Sequence, residues 1–268
     1  MEFTRIALVV FLTLIIHLID TLSFAARIAG IKTKKLALAG SVFNIIVLVS
    51  RTSNMIQAPL LGSIVEIALL KHDLAGLEMV FRWVLLGATA GTLIGAVLIP
   101  TFINFFTIAL NKLDEVGSVP RLIIVTLRQR KTQAIKENIR GVPLQSVKNL
   151  ARERMPYKIL LLNLIITGIY TTGVLSAMYA GVLNPEYRLT ASQLSGIING
   201  FATIVLVLLV DPYSAMVTDR VLNGSLPMDS LNRLVLALLI SKFLGTLLSQ
   251  ALLIPAAWII LYFTRLII

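Results

Sequence analysis

The sequence predicts an all-α polytopic membrane protein: about six transmembrane helices in two inverted three-helix repeats, joined by a basic cytoplasmic amphipathic linker. Three observations carry this expectation. Hydrophobic residues fill 57% of the 268 positions and charged ones only 14%, whereas soluble domains carry about 25% charged residues. The apolar runs are continuous rather than alternating, which favours helices over barrel strands. A hydrophilic stretch from Asn111 to Lys158 divides the chain. It holds eleven of the 24 Lys and Arg residues, opposed only by Asp114, Glu115, Glu137 and Glu153. Such a stretch marks the cytoplasmic face and contact with anionic membrane lipids, not a nucleic-acid surface. The absence of cysteine excludes disulfides, thiol catalysis and thiolate metal sites.

Each element follows from the pattern of apolar runs and breakers. Helix one is expected over Thr4–Ala26. His17 and Asp20 interrupt its apolar run and its leading charge is a lone Arg5 beside Glu2, so it reads as a retained helix, not a signal peptide. A basic loop, Arg27 to Lys35, follows. The second segment, Leu36 to Leu70, is longer than a bilayer requires and carries Arg51 and Pro59, which predicts a broken or kinked helix. A third helix is expected over Met79–Ile108, with Pro100 near its end. The linker shows helical periodicity from Pro120 to Ala151, as in helices that lie on a membrane surface; a plain solvated linker is the alternative. Helix four is expected over Ile159–Val182. Helix five runs over Thr190–Val210 and continues past Asp211-Pro212 as a more polar segment to Asn223. Helix six covers Leu231–Phe263.

The two halves share landmarks in the same order. Ala29-Gly30-Ile31 matches Ala180-Gly181-Val182, and Asn44 matches Asn199. Gly91-Thr92-Leu93 matches Gly245-Thr246-Leu247, and Leu98-Ile99-Pro100 matches Leu253-Ile254-Pro255. This divides the chain into a first membrane unit (1–110), the linker (111–158) and a second membrane unit (159–268). An odd number of helices per unit inverts the second relative to the first. The positive-inside rule then puts both termini outside the cell and the linker in the cytoplasm.

Polar groups within the apolar runs are the candidates for chemistry. His17 and Asp20 share one face of helix one, which extends to Arg27. A carboxylate at a helix centre costs ~2.5–3.5 kcal/mol on insertion scales, so Asp20 should face protein or a wet cavity. The pair either carries a proton or cation in coupling or gating, or forms a hydrogen-bonded lock to a neighbouring helix. Arg51 calls for an anionic partner, and a phosphate or diphosphate matches its donor fork; snorkelling to the interface is the alternative. Arg27 and Lys242 join it as candidates for binding the diphosphate. Asn44, Asn54, Asn163, Thr167, Tyr170 and Asn199 are candidate polar cavity residues, although stripes of this kind also simply pack helices. Asp211 and Asp219 read as helix-terminus or local ion-pair residues, the latter beside Arg220. Arg82 should meet headgroups. No phosphate-binding G-x-x-x-x-G-K-[ST] loop, H-E-x-x-H pair or catalytic Ser/His/Asp set is present, so no enzyme, metal or cofactor is expected.

Met1-Glu-Phe-Thr-Arg5, Leu14-Ile-Ile-His17-Leu-Ile-Asp20-Thr21, Arg27-Ile-Ala-Gly30 and Arg51-Thr-Ser-Asn-Met55, taken with the length, resemble the Amj family, the alternate lipid II flippases of Gram-positive bacteria. The resemblance covers the whole chain. It implies a bacterial cell membrane protein whose substrate is undecaprenyl diphosphate bearing the disaccharide-pentapeptide precursor (lipid II), moved to the outer leaflet for wall synthesis. It carries no motif of functional residues, so the residue candidates rest on the reading above. Rival expectations are an ion-coupled transporter of a small anionic solute and a non-transporting scaffold. Six helices make a small transporter, and a homodimer is one way to complete its cavity.

Overall fold

The computed structural model describes residues 3–118, 121 and 156–268. The surface helix expected between Pro120 and Ala151 lies outside the described residues, Arg121 apart. Among the described residues every regular element is helical, and six helical spans are long and apolar enough to cross a membrane.

Helix α1 (Phe3–Thr33) continues through the expected basic loop. Its connection to α2 (Leu36–Leu70) is only Lys34 and Lys35, with Lys34 in the left-handed region at φ 57°. Gly30 does not break α1 because it lies where α2 crosses: a Cβ there would be 2.6 Å from that of Ala39. The break expected near Pro59 is likewise absent. Helix α2 runs unbroken through Pro59, which removes one ladder donor from a 35-residue helix. Asp73 starts α3 (Leu74–Val116) by accepting the Gly76 N–H at 2.8 Å, and Gly117 ends it at φ 75°. Helix α4 spans Tyr157–Leu183. The fifth span is composite: a 3₁₀ turn (Pro185–Tyr187), α5 (Arg188–Val205), a π turn (Leu206–Val210) and α6 (Asp211–Leu222). Helix α7 (Met228–Ile267) begins just after Pro227.

Two helix pairs make the most extensive contacts, α1 with α3 and α4 with α7. In each, glycine brings backbone against backbone. Gly87, Gly91 and Gly95, four residues apart on α3, face Val10, Leu14 and Leu18 of α1; a Cβ on Gly87 would be 2.8 Å from the Val10 carbonyl oxygen. Gly245 of α7 faces α4 in the same manner, 2.5 Å from a would-be Cβ to the Leu164 carbonyl oxygen. Lipid tails are as apolar as side chains, so close van der Waals approach, not solvent exclusion, drives such pairing.

The ends of the bundle differ. At the linker end, Lys35 donates to the Asn111 side-chain oxygen at 3.3 Å, joining the α1–α2 connection to the end of α3. At the far end the halves are tied directly. Arg188 pairs with Glu66 at 3.3 Å. Arg82 pairs with Glu78 at 2.7 Å and donates to the Gln250 carbonyl, while the Gln250 amide donates back to the Arg82 carbonyl at 2.9 Å. Arg82 therefore ties α3 to α7. A buried cluster including Leu61, Phe81, Leu175 and Leu253 packs that end, and a second including Leu22, Ile99, Ile166 and Leu234 packs the linker half.

Gly91→Ala is expected to lower the thermal stability of the detergent-solubilised protein, because its new Cβ meets the Leu14 carbonyl; overpacking costs about 1–3 kcal/mol. Gly62→Ala, with open space around it, should melt at or above the wild-type temperature. Equal melting temperatures for both variants would remove the α1–α3 crossing from this account.

Candidate functional site

A cavity of about 900 Å³ lies between the two halves in the linker half of the bundle. Helix α1 contributes His17, Asp20, Ser23, Phe24 and Arg27; α2 contributes Arg51 and the apolar positions before it. Helix α4 contributes Asn163, Thr167, Tyr170 and Thr171, and α7 contributes Lys242. The opposite wall is α5, the π turn and α6, including Thr203, Asp211, Ser214, Thr218 and Asp219. At 1.5 Å rise per residue, Arg27 lies about 10 Å nearer the linker end than Asp20. The deep group is thus His17, Asp20, Arg51, Tyr170 and Lys242, while Arg27 and Asp219 sit toward the linker end.

The deep group is connected. Ser50 donates to the Asp20 carboxylate at 3.0 Å. Lys242 interacts electrostatically with Asp20 and with His17 and lies 6.0 Å from the centre of the Phe24 ring. Tyr170 feels both Asp20 and Arg51. His17 Nδ1 is buried without a hydrogen-bond partner, while Asp20 is hydrogen-bonded to the neighbouring helix α2 through Ser50. Among the described residues none of Arg27, Arg51 and Lys242 has a carboxylate within 4 Å.

The structure brings His17, Asp20, Arg27, Arg51, Asn163, Thr167, Tyr170 and Lys242 to this one cavity. It leaves out three expected cavity residues. Asn44 and Asn54 are exposed on α2 outside the lining. Asn44 is rotated about 100° from the lining residue Phe43, and Asn54 lies past Arg51, where the lining of α2 ends. Asn199 is half-buried against Gly173 of α4. Asn163 borders the cavity, but its amide is committed to the Leu238 carbonyl at 3.1 Å and the Ser241 hydroxyl at 2.7 Å, tying α4 to α7.

Sequence reasoning missed Ser50, whose only signal is its place beside Arg51. Asp211 does stand in the first turn of α6, as a helix-terminus residue, but sequence reasoning did not foresee that both it and Asp219 also line the cavity. Their arrival depends on the π turn. The lining pairs 202/203, 206/207, 210/211, 214/215 and 218/219 recur every four residues. On a straight α-helix a period of four drifts about 40° per step, or ~160° over this span. The π turn, with more residues per turn, absorbs part of that drift. Pro212 lacks the N–H that would continue an α ladder, and the Asp211 N–H bonds five residues back to Leu206.

Fold and cavity together define the class: a polytopic helical membrane protein holding a charged chamber inside an apolar bundle. The chain belongs to the Amj family, whose model, described as "Alternate to MurJ", matches residues 12–264. It is 36% identical over 263 residues to the Lipid II flippase Amj of Bacillus subtilis (strain 168), covering 98% of this chain and 97% of that protein. No solved structure matches.

Because the chain has no cysteine, single cysteines report water access directly. Ala215→Cys in the cavity wall is expected to react with a charged, water-borne maleimide, and Thr246→Cys at the fully buried α4–α7 crossing is not. Equal, slow labelling of both would mean that the chamber is dry.

Proposed function

We propose that this chain is a lipid II flippase, carrying undecaprenyl-diphosphate-linked disaccharide-pentapeptide from the inner to the outer leaflet for cell-wall synthesis. The observation that carries this reading is the set Arg27, Arg51 and Lys242, from three helices, lining one intramembrane cavity, with no carboxylate within 4 Å of any of them among the described residues. A guanidinium presents a planar donor fork that fits phosphate oxygens, and an ammonium adds a point charge. Removed from bulk water, such cations attract a dianion more strongly than they would in solution. The cavity is at the upper end of the ~300–1,000 Å³ range of small-molecule sites. The prenyl tail stays in the bilayer, so only the headgroup has to enter. The named activity of the Bacillus subtilis relative, similar from end to end, supports the same assignment.

Leaflet transfer breaks no covalent bond, so the reading is of a carrier that needs no cofactor. The chain divides at the linker (111–158) into two units, 1–110 and 159–268, the second inverted relative to the first. The matched crossings of Gly91 on Leu14 and Gly245 on Leu164 support this division. The basic linker faces the cytoplasm against anionic lipids, with both termini outside. The cavity half of the bundle then lies on the loading side, and the tied, apolar end faces out. His17 and Asp20 serve coupling or gating beside the diphosphate site, and a homodimer would enclose the cavity further.

Arg51→Ala is expected to abolish outward delivery of lipid-linked precursor in cells that rely on this protein alone, with the amount of folded protein unchanged. Full delivery by that variant would remove Arg51 from the site. Failure of the wild-type chain to deliver precursor outward would overturn the flippase reading.

A further inference from the structure

We infer that α2 on one side and α5 with its π turn on the other form a lateral slit, through which the polyprenyl chain of the substrate passes from the cavity into the bilayer while its diphosphate rests at Arg51. The inference rests on the flippase reading and adds a lipid-binding part to the same site.

A headgroup inside the bundle and a tail in the bilayer are joined through the diphosphate. The cavity therefore has to be open to lipid along the path of that linkage. The two halves face each other along two seams. Along one, α3 packs on α7, and the reciprocal Arg82–Gln250 bonds cross it. The other lies between α2 and the fifth span. Among the described residues α2 packs on α1, α3 and α4, and α5 packs on α4 and α7, but no comparable packing joins α2 to α5 or to the π turn. Both sides of this seam nevertheless line the cavity.

The edges of the seam are apolar. Over the 15 residues before Arg51, about 22 Å of helix, α2 lines the cavity only with Leu36, Ala39, Gly40, Phe43 and Val47. Leu206 and Val207 of the π turn line it from the other side. Phe43 and Val207 line the cavity and are exposed at the same time. Each continues into a lipid-facing surface, at Leu48 and Val49 on α2 and at Ile204 and Leu208 on the fifth span. A Cβ on Gly40 would meet nothing within 4 Å, so that edge has room beside it. An isoprenoid chain, apolar throughout, is the group such edges accept without stranding a polar atom.

Arg51 has the same double placement: it lines the cavity and is exposed. In this substrate the diphosphate is the junction between polar and apolar parts, so the residue that holds it belongs where the chamber meets lipid. Towards the far end the seam closes. Arg188 pairs with Glu66 at 3.3 Å, and Leu61 and Ile64 of α2 share a buried cluster with Ala191 and Leu194 of α5. The tail thus enters the slit in the linker half, and the closed part of the seam has to separate before the linkage reaches the other leaflet.

The test uses the full chain in proteoliposomes and, as probe, undecaprenyl-diphosphate-disaccharide-pentapeptide radiolabelled in its prenyl chain. A photoreactive benzoylphenylalanine replaces Phe43, Val207, Val97 or Leu244, one at a time. The last two are exposed on α3 and α7, away from the slit. Capture of the labelled chain at positions 43 and 207 is expected to fall at least tenfold when unlabelled probe is added in excess, and capture at 97 and 244 to stay constant. Capture that excess probe leaves unchanged at all four positions would mean that ordinary bilayer lipid fills the slit, and would overturn the inference. Competed capture at 97 and 244 alone would move the tail to the other seam and overturn it as well. In a second measurement, Phe43→Cys and Val207→Cys are joined by a reducible thiol-reactive linker in a chain that has no other cysteine. Linking is expected to slow transfer at least tenfold and reduction to restore it; undiminished transfer by the linked protein would overturn the slit. Each of these outcomes leaves the flippase reading intact, whereas failure of the wild-type chain to move the probe between leaflets would overturn that reading itself.

Discussion

A charge facing lipid tails is costly, a few kcal/mol even on insertion scales, and this chain carries Asp20, Arg27, Arg51 and Lys242 within its apolar spans. That constraint organises the rest. These charged side chains come from three different helices and meet at one chamber. Outside it, large apolar side chains such as Phe11, Trp83 and Trp258 are exposed and face lipid. Ser50 is buried because its hydroxyl serves Asp20.

A chamber in a six-helix bundle needs stiff walls, and glycine supplies them. Where Gly87, Gly91 and Gly95 meet α1, and where Gly245 meets α4, no side chain separates the two backbones. Each pair packs as a block, and the cavity lies between the two halves. Away from the linker the blocks are joined by Arg188–Glu66 and by the reciprocal Arg82–Gln250 bonds over an apolar core. In the linker half they part. A carrier that opens to one side at a time needs this asymmetry, and the few polar ties are the contacts that would have to break for the far end to open.

The wall formed by α5 and α6 shows how a local backbone departure sets chemistry. Without the π turn before Pro212, Asp211 and Asp219 would rotate away from the face that starts at Ala202. With it, part of the drift is absorbed and a period-four stripe lines the cavity from Ala202 to Asp219. The result is a polar stripe of Thr203, Asp211, Ser214, Thr218 and Asp219 on the cavity wall facing α1, α2 and α7.

Much of the fold was legible in the chain. Continuous apolar runs specify the six helices, because backbone polar groups in lipid have to be satisfied within each helix. The cost of intramembrane charge made Asp20 an inward residue in the sequence, whereas for Arg51 snorkelling to the interface was left open. The paired landmarks at Gly91 and Gly245 mark the helix crossings. Tertiary structure alone decided the rest. Periodicity says which residues share a face of one helix, but not which neighbour that face meets or at what depth. So Asn44, Asn54 and Asn199, polar and well placed by spacing, fall outside the cavity. Pro59 does not break α2, since one missing donor is small beside the rest of a long ladder. Ser50, Asp211 and Asp219 enter the site because helix packing and one π turn bring them there, and neither is written in the local pattern of residues.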